Sequence, residues 1–242
     1  MADAGRRFPW ALTAAAAVLF AVLVGLGVWQ VQRMQWKARL IADAAAAAAL
    51  PPAPATGVLA SQRAEFRKVV LVCPGLDTAP WVELQSIHDG QAGVRLISAC
   101  RDPALGETAL VDRGFVADGI SARPPVAASD RPVRITAEVR ATPAPGPMAA
   151  AAEERRFYAR DNAAMAAALG IEGPVSPWTF FALDSSNPDW AALQPSAPPA
   201  AFSNNHLGYA ITWFGLALAL VGFYIALLRR RRATSRPARA EP

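Results

Sequence analysis

Two long uncharged stretches, one near each end, constrain this chain more than any other feature. No ionisable side chain occurs from Phe8 to Gln32, and Trp10 to Trp29 is almost wholly Ala, Val, Leu, Phe and Gly. Twenty helical residues rise about 30 Å, the thickness of a bilayer's hydrocarbon core. A second run, Leu207 to Leu228, ends abruptly at Arg229, Arg230, Arg231 and Arg232. The reading is a membrane protein with two transmembrane α-helices, 9–29 and 204–228. The alternative for the first run is a cleaved signal peptide preceded by Arg6 and Arg7. Its apolar part is too long for that, and no small-x-small site follows at once.

The net charge of +5 invites a nucleic-acid reading until the charges are located. Between Met34 and Ser203 there are 15 Lys or Arg against 17 Asp or Glu, so the basicity belongs to the ends. That excludes nucleic acid as the indicated partner and leaves membrane lipids. Six arginines in residues 229–242 set the C-terminus in the cytoplasm by the positive-inside rule. Two spans then place residues 1–8 inside as well, with 51–203 on the far side as a periplasmic domain. Arg33, Lys37 and Arg39 after the first run oppose Arg6 and Arg7 before it, so the first helix alone is equivocal.

From Gln30 to Leu50 there is no Gly or Pro, and Ala44 to Ala49 is an unbroken run of the strongest helix former, so a helical stalk is expected over 30–50 until Pro51 and Pro52 stop it. Beyond lie strand-like runs at Ala64–Cys73, Val94–Cys100, Thr108–Val116 and Val133–Arg140. Turn signals separate them at Pro74-Gly75, Asp89-Gly90, Asp118-Gly119 and Pro143 to Pro147. These predict an antiparallel meander. Asp161 reads as the N-cap of a short helix, 162–169, closed by Gly170, and Phe180–Leu183 reads as a last strand. The fold class is a β-rich α+β domain flanked by two membrane helices. Pro188 to Ala201 reads as an irregular approach to the second span.

Cys73 and Cys100 each end a strand-like run in the segment placed outside the cytoplasm. Two readings stand side by side: a disulfide between neighbouring strands, or two small buried thiols. Catalytic equipment is sparse. The only histidines are His88 and His206, with no nucleophile elbow and no phosphate-cradling loop. Glu153-Glu154 beside Arg155-Arg156 reads as a solvated charge cluster.

The one concentrated constellation is Asn204-Asn205-His206-Leu207-Gly208-Tyr209-Ala210-Ile211-Thr212-Trp213-Phe214, leading into the second span. On a helix, His206, Tyr209 or Ala210, and Trp213 share a stripe. An imidazole beside flat aromatic surfaces at a membrane boundary suits axial ligation of a haem iron. The other reading is an interfacial aromatic belt capped by Asn205. On the first helix, Trp29, Arg33, Trp36 and Leu40 also share a face. Arg33 suits a haem propionate or a lipid phosphate equally.

These ends resemble the surfeit locus protein 1 family of cytochrome c oxidase assembly factors. Leu26 through Arg33 with Trp36-Lys37 and Leu40-Ile41 is similar to its first-helix signature, and Asn204 through Phe214 is similar to its second. Leu110 through Val116 resembles its V-N-R-G-W-V strand, with Asp112 and Phe115 in place of Asn and Trp, and Arg160-Asp161 resembles its R-D pair.

The resemblance implies a non-enzymatic protein of the bacterial inner or mitochondrial inner membrane that handles haem a for insertion into the oxidase's catalytic subunit, in concert with the haem a synthesis machinery. Few lysines, many arginines and much alanine favour the bacterial inner membrane. His206 would be the iron ligand, and Trp29, Arg33, Tyr209 and Trp213 would line the pocket. Two rivals are kept. One is a haem-independent structural chaperone of an oxidase assembly intermediate. The other is a membrane-anchored periplasmic enzyme using His88, which an exposed His88 in the His88-Asp89-Gly90 turn would count against.

Overall fold

A computed structural model of the chain describes residues 9–61, 63–142, 145–197 and 204–233. The N-terminal segment 1–8, the start of the expected turn at Pro143, the chain from 198 to 203 and the tail beyond 233 lie outside the described residues. The described chain forms two compact units, residues 9–41 with 204–233, and residues 42–197.

The first unit consists of one long helix entire and another as far as Ile41, whose last two turns belong to the second unit. α1 runs unbroken from Trp10 to Ala49. It passes through Arg33 because nothing between Gln30 and Ala49 lacks a backbone N–H, and it stops where Pro51 would clash. α4 runs from His206 to Ala233, carrying the helix through the arginine run. Both are long and apolar enough to cross a membrane.

The second unit is an eight-stranded mixed sheet. β1 (Ala53–Pro54) and α2 (Ala55–Leu59) open it, and β2 (Lys68–Pro74) leads through a 3-10 turn at Leu76–Thr78 to β3 (Trp81–His88). There follow β4 (Gln91–Cys100), β5 (Thr108–Ala117), β6 (Pro132–Ala141), β7 (Arg156–Phe157), α3 (Asn162–Ala168) and β8 (Val175–Ala182). The spatial order is β1-β2-β6-β8-β5-β4-β3-β7.

The expected meander holds only for the β4–β5 pair, to which β3, not expected as a strand, adds on the other side of β4. The last strand does not extend it. β8 inserts between β5, to which it is parallel, and β6, to which it is antiparallel. β3 was hidden in the sequence because Glu83, Gln85 and Ser86 interrupt its apolar residues, yet Val82 and Leu84 alternate inward as a half-buried strand requires. Asp89 and Gly90, both at positive φ, close the β3–β4 hairpin.

The sheet buries apolar side chains on both faces. One cluster gathers Val69, Leu71, Val111, Ile135, Val139 and Phe180. The other packs Val82, Leu84, Ile97 and Leu110 against Met165 and Ala166 of α3. That helix is capped as its sequence implies. The Asp161 carboxylate accepts from the Ala164 N–H at 3.0 Å, and Gly170 takes the left-handed conformation beyond Leu169.

Cys73 and Cys100 are disulfide-bonded, with Cα atoms 5.0 Å apart, which settles the choice between cystine and free thiols. The neighbouring-strand geometry is corrected: β6, β8 and β5 separate β2 from β4 in the sheet. The bond can form only because the sheet curls until the ends of β2 and β4 meet over the first apolar cluster.

The Leu110–Val116 segment is the hub of this unit. Arg95 pairs with Phe115 and Ile97 with Asp112, so two β5 residues, Arg113 and Gly114, oppose the single β4 residue Leu96 in a bulge. Gly114 sits at φ 134°, and a Cβ there would lie 2.3 Å from the Gln194 carbonyl oxygen. The bulge turns Arg113 wholly inward, to Ser186 Oγ at 2.9 Å and the Asp77 carbonyl at 3.0 Å. Desolvation pushes the Arg113 guanidinium down to about 10, which leaves it a cation at neutral pH.

Asp112, fully buried, accepts from Arg95 Nε at 2.7 Å and from Arg160 at 2.6 Å. The two looser sequence motifs are therefore one ionic constellation. The Glu153–Arg156 cluster is not simply solvated either. Arg156 donates to Glu83 at 2.9 Å, and Arg155 hydrogen-bonds the Trp81 carbonyl.

Candidate functional site

The two long helices pair antiparallel, and their contacts run in opposite order along the two segments. Thr13 and Tyr224 share a hydroxyl hydrogen bond at 2.6 Å at one end. Midway, a Cβ on Gly27 would lie 2.7 Å from the Phe214 ring, so only a glycine lets the α1 backbone approach this closely. At the other end His206 Nδ1 lies 2.6 Å from Gln30 Oε1, and the Asn204 amide donates to the Met34 carbonyl at 3.2 Å. Along α1 the stripe facing α4 is thus Leu23, Gly27, Gln30 and Met34; along α4 it is His206, Ala210 and Ala217, with both alanines buried. Small residues at the crossing suit close packing of two apolar helices.

His206 sits on this seam at its outer end, half-buried, and its Nε2 has no hydrogen-bond partner among the described residues. At about 100° per residue, Arg33 and Tyr209 each lie about 90° from their helix's inward stripe, and Trp213 about half that. Because the helices are antiparallel, those offsets open on the same side of the pair. Arg33, Tyr209 and Trp213 therefore flank one strip of the seam, about 15 Å long at 1.5 Å per residue, with His206 between.

Trp29 turns farther round, about 130° from the α1 stripe, and is 51% exposed. Arg33 stacks on Trp36, its guanidinium carbon 4.1 Å from the ring centroid, and no carboxylate lies within ion-pair distance of it among the described residues. Tyr209 is 58% exposed. Of the five residues singled out in the sequence, helical geometry about the observed seam sets four along one strip and leaves Trp29 at its margin.

Gln30 lies inside the Leu26–Arg33 signature, which gives it no role of its own. Its signal was present: it is the first amide after Thr13 in an apolar run, and an amide in such surroundings must find a partner.

His88 is not an exposed turn residue. It ends β3, half-buried, with its ring 5.3 Å from that of Phe115 and Nε2 3.7 Å from the Asp89 carboxylate. The turn proper is Asp89-Gly90, so the exposure expected to weigh against an enzymatic His88 is not found.

Comparison with known proteins gives a consistent answer. A family model described as the SURF1 family matches residues 17–218. The chain is 27% identical over 261 residues to a SURF1-like protein of Monosiga brevicollis, covering 96% of this chain and 92% of that one. It is 26% identical to surfeit locus protein 1 of Mus musculus and 28% identical to that of Homo sapiens, covering 82% and 81% of this chain and 70% of each relative. The match begins inside the first apolar helix, crosses the whole sheet and ends inside the second, so the chain belongs to the SURF1 family.

Proposed function

We propose that this protein is a membrane-anchored, non-enzymatic assembly factor of cytochrome c oxidase that holds haem a on the outer strip of its helix pair and presents it to the catalytic subunit. Family membership supports the assembly role. The observation that carries the haem reading is His206: one ring nitrogen is engaged by Gln30 and the other has no partner among the described residues, an arrangement that metal-ligating imidazoles share.

The residues present fit the group. His206 would hold the iron, Tyr209 and Trp213 would cover a macrocycle edge, and Arg33 supplies a cation for a propionate. When bound, haem a would supply an iron that can take a nitrogen ligand, and two carboxylates. The chain supplies orientation, and the lipid around the helix pair would keep bulk water away. Residues 51–203 would lie in the periplasm with both termini cytoplasmic, a topology supported by the arginines after α4 and by the cystine, which belongs to an oxidising compartment.

The test is a haem a titration of the purified full-length protein in nanodiscs. Saturable binding with a Soret band is expected, and His206→Ala should weaken or shift it. A spectrum unchanged by His206→Ala removes His206 from the iron. Absence of saturable binding favours the haem-independent chaperone, for which the Asn204 and His206 hydrogen bonds would serve only to dock α4 on α1.

A further inference from the structure

Gln30 is nine-tenths buried in an otherwise apolar stripe, in the middle of a regular helix, where its backbone cannot move independently. An amide there is costly unless it is paired. Its one hydrogen bond among the described residues is to His206 Nδ1, through Oε1 at 2.6 Å. Oε1 can only accept, so Nδ1 must carry the proton, and a neutral imidazole protonated at Nδ1 has its lone pair on Nε2. The Asn204 bond to the Met34 carbonyl, one turn farther out, fixes the segment entering α4 and with it the base of the histidine side chain.

We infer that Gln30 is the positioning residue of His206: it locks the imidazole in the Nδ1–H tautomer and in one ring plane, dedicating Nε2 to the incoming iron. This deepens the haem a reading and rests on it for the ligand's identity. The tautomer, however, belongs to the ligand-free chain and is measurable without haem. An amide is a neutral acceptor, so it orients the ring without drawing the Nδ1 proton away. The opposite amide orientation would set an NH2 against Nδ1, force the proton onto Nε2 and close the ring to metal.

The experiment uses the full chain in lipid nanodiscs with 15N-labelled histidine and His88→Gln, which leaves His206 as the sole histidine. Ring-nitrogen NMR of the ligand-free protein should show Nδ1 protonated and Nε2 bare. Gln30→Leu should populate the Nε2–H form and weaken haem a binding by about 10- to 100-fold with a shifted Soret band. Gln30→Glu, which still accepts from Nδ1, should keep the tautomer and bind within a few-fold of the parent. A parent in the Nε2–H form overturns the inference, as does a Gln30→Leu protein with unchanged tautomer and haem a affinity. If the tautomer follows Gln30 while even the parent binds no haem a, the haem reading fails and the control of His206 by Gln30 stands.

Discussion

Removing the cystine should cost the sheet domain a definite amount of stability. Cys73 and Cys100 are 27 residues apart. Cross-linking a loop of that length removes chain entropy from the unfolded state worth about 3.5 kcal/mol at 25 °C. Reduction of the wild type isolates this term, since both sulfur atoms stay in place. The double variant Cys73→Ala, Cys100→Ala should cost somewhat more, because both side chains are fully buried and their sulfurs leave unfilled volume.

Full-length protein in micelles would be unfolded in urea and followed by fluorescence of the domain's tryptophans, Trp81, Trp178 and Trp190. With a slope of about 2 kcal/mol per molar urea, the midpoint should fall by about 1.8 M on reduction. The corresponding serine pair should be worse again by about 1–3 kcal/mol per hydroxyl left without a partner. Equal midpoints for oxidised and reduced protein at equal slope would refute the reasoning, and would mean that the curl of the sheet is held by packing alone.

Two further predictions concern buried charge. Asp112→Ala leaves Arg95 and Arg160 without their shared carboxylate and should destabilise the domain by about 3–5 kcal/mol in the same assay. Asp112→Asn, which keeps an acceptor oxygen for the two arginines, should cost clearly less. Burial raises the Glu83 carboxyl's pKa, but hydrogen bonds from Arg123 at 2.7 Å and Arg156 at 2.9 Å outweigh it and hold the group below its ordinary value. A carboxylate depressed in the folded state contributes stability above its unfolded pKa and loses it as pH falls through the folded one. Unfolding midpoints should therefore drop below about pH 4.5, and Glu83→Gln should flatten that limb while lowering the neutral plateau. A Glu83→Gln profile parallel to wild type throughout would remove the pair from the acid response.

What could be read in the sequence was what short-range chemistry decides. The two apolar runs, the stop at Pro51, the Asp161 cap and the Gly170 terminator each depend on neighbours a few residues away, and each is found in the structure. What escaped depends on pairings across the chain. β3 lacked a clean alternation because Glu83 faces two arginines contributed from positions 123 and 156. The insertion of β8 beside β5 has no local signature. The pairing of Asp112 with Arg160 crosses 48 residues, and neither motif alone implies the other. At the candidate site the family resemblance named His206, Trp29, Arg33, Tyr209 and Trp213. Gln30 required the second helix to be set against the first before its amide acquired a purpose.

The placement of β8 has a consequence for how the chain is made. Without residues 175–182 the hydrogen-bonded sheet divides into two ribbons, β1-β2-β6 and β5-β4-β3-β7, joined through the cystine and the chain itself. The keystone strand leaves the ribosome after every other strand, only some two dozen residues ahead of the second apolar helix. Assembly of the sheet must therefore await nearly the whole polypeptide, and any early termination upstream of Val175 yields two exposed ribbon edges rather than a smaller working domain.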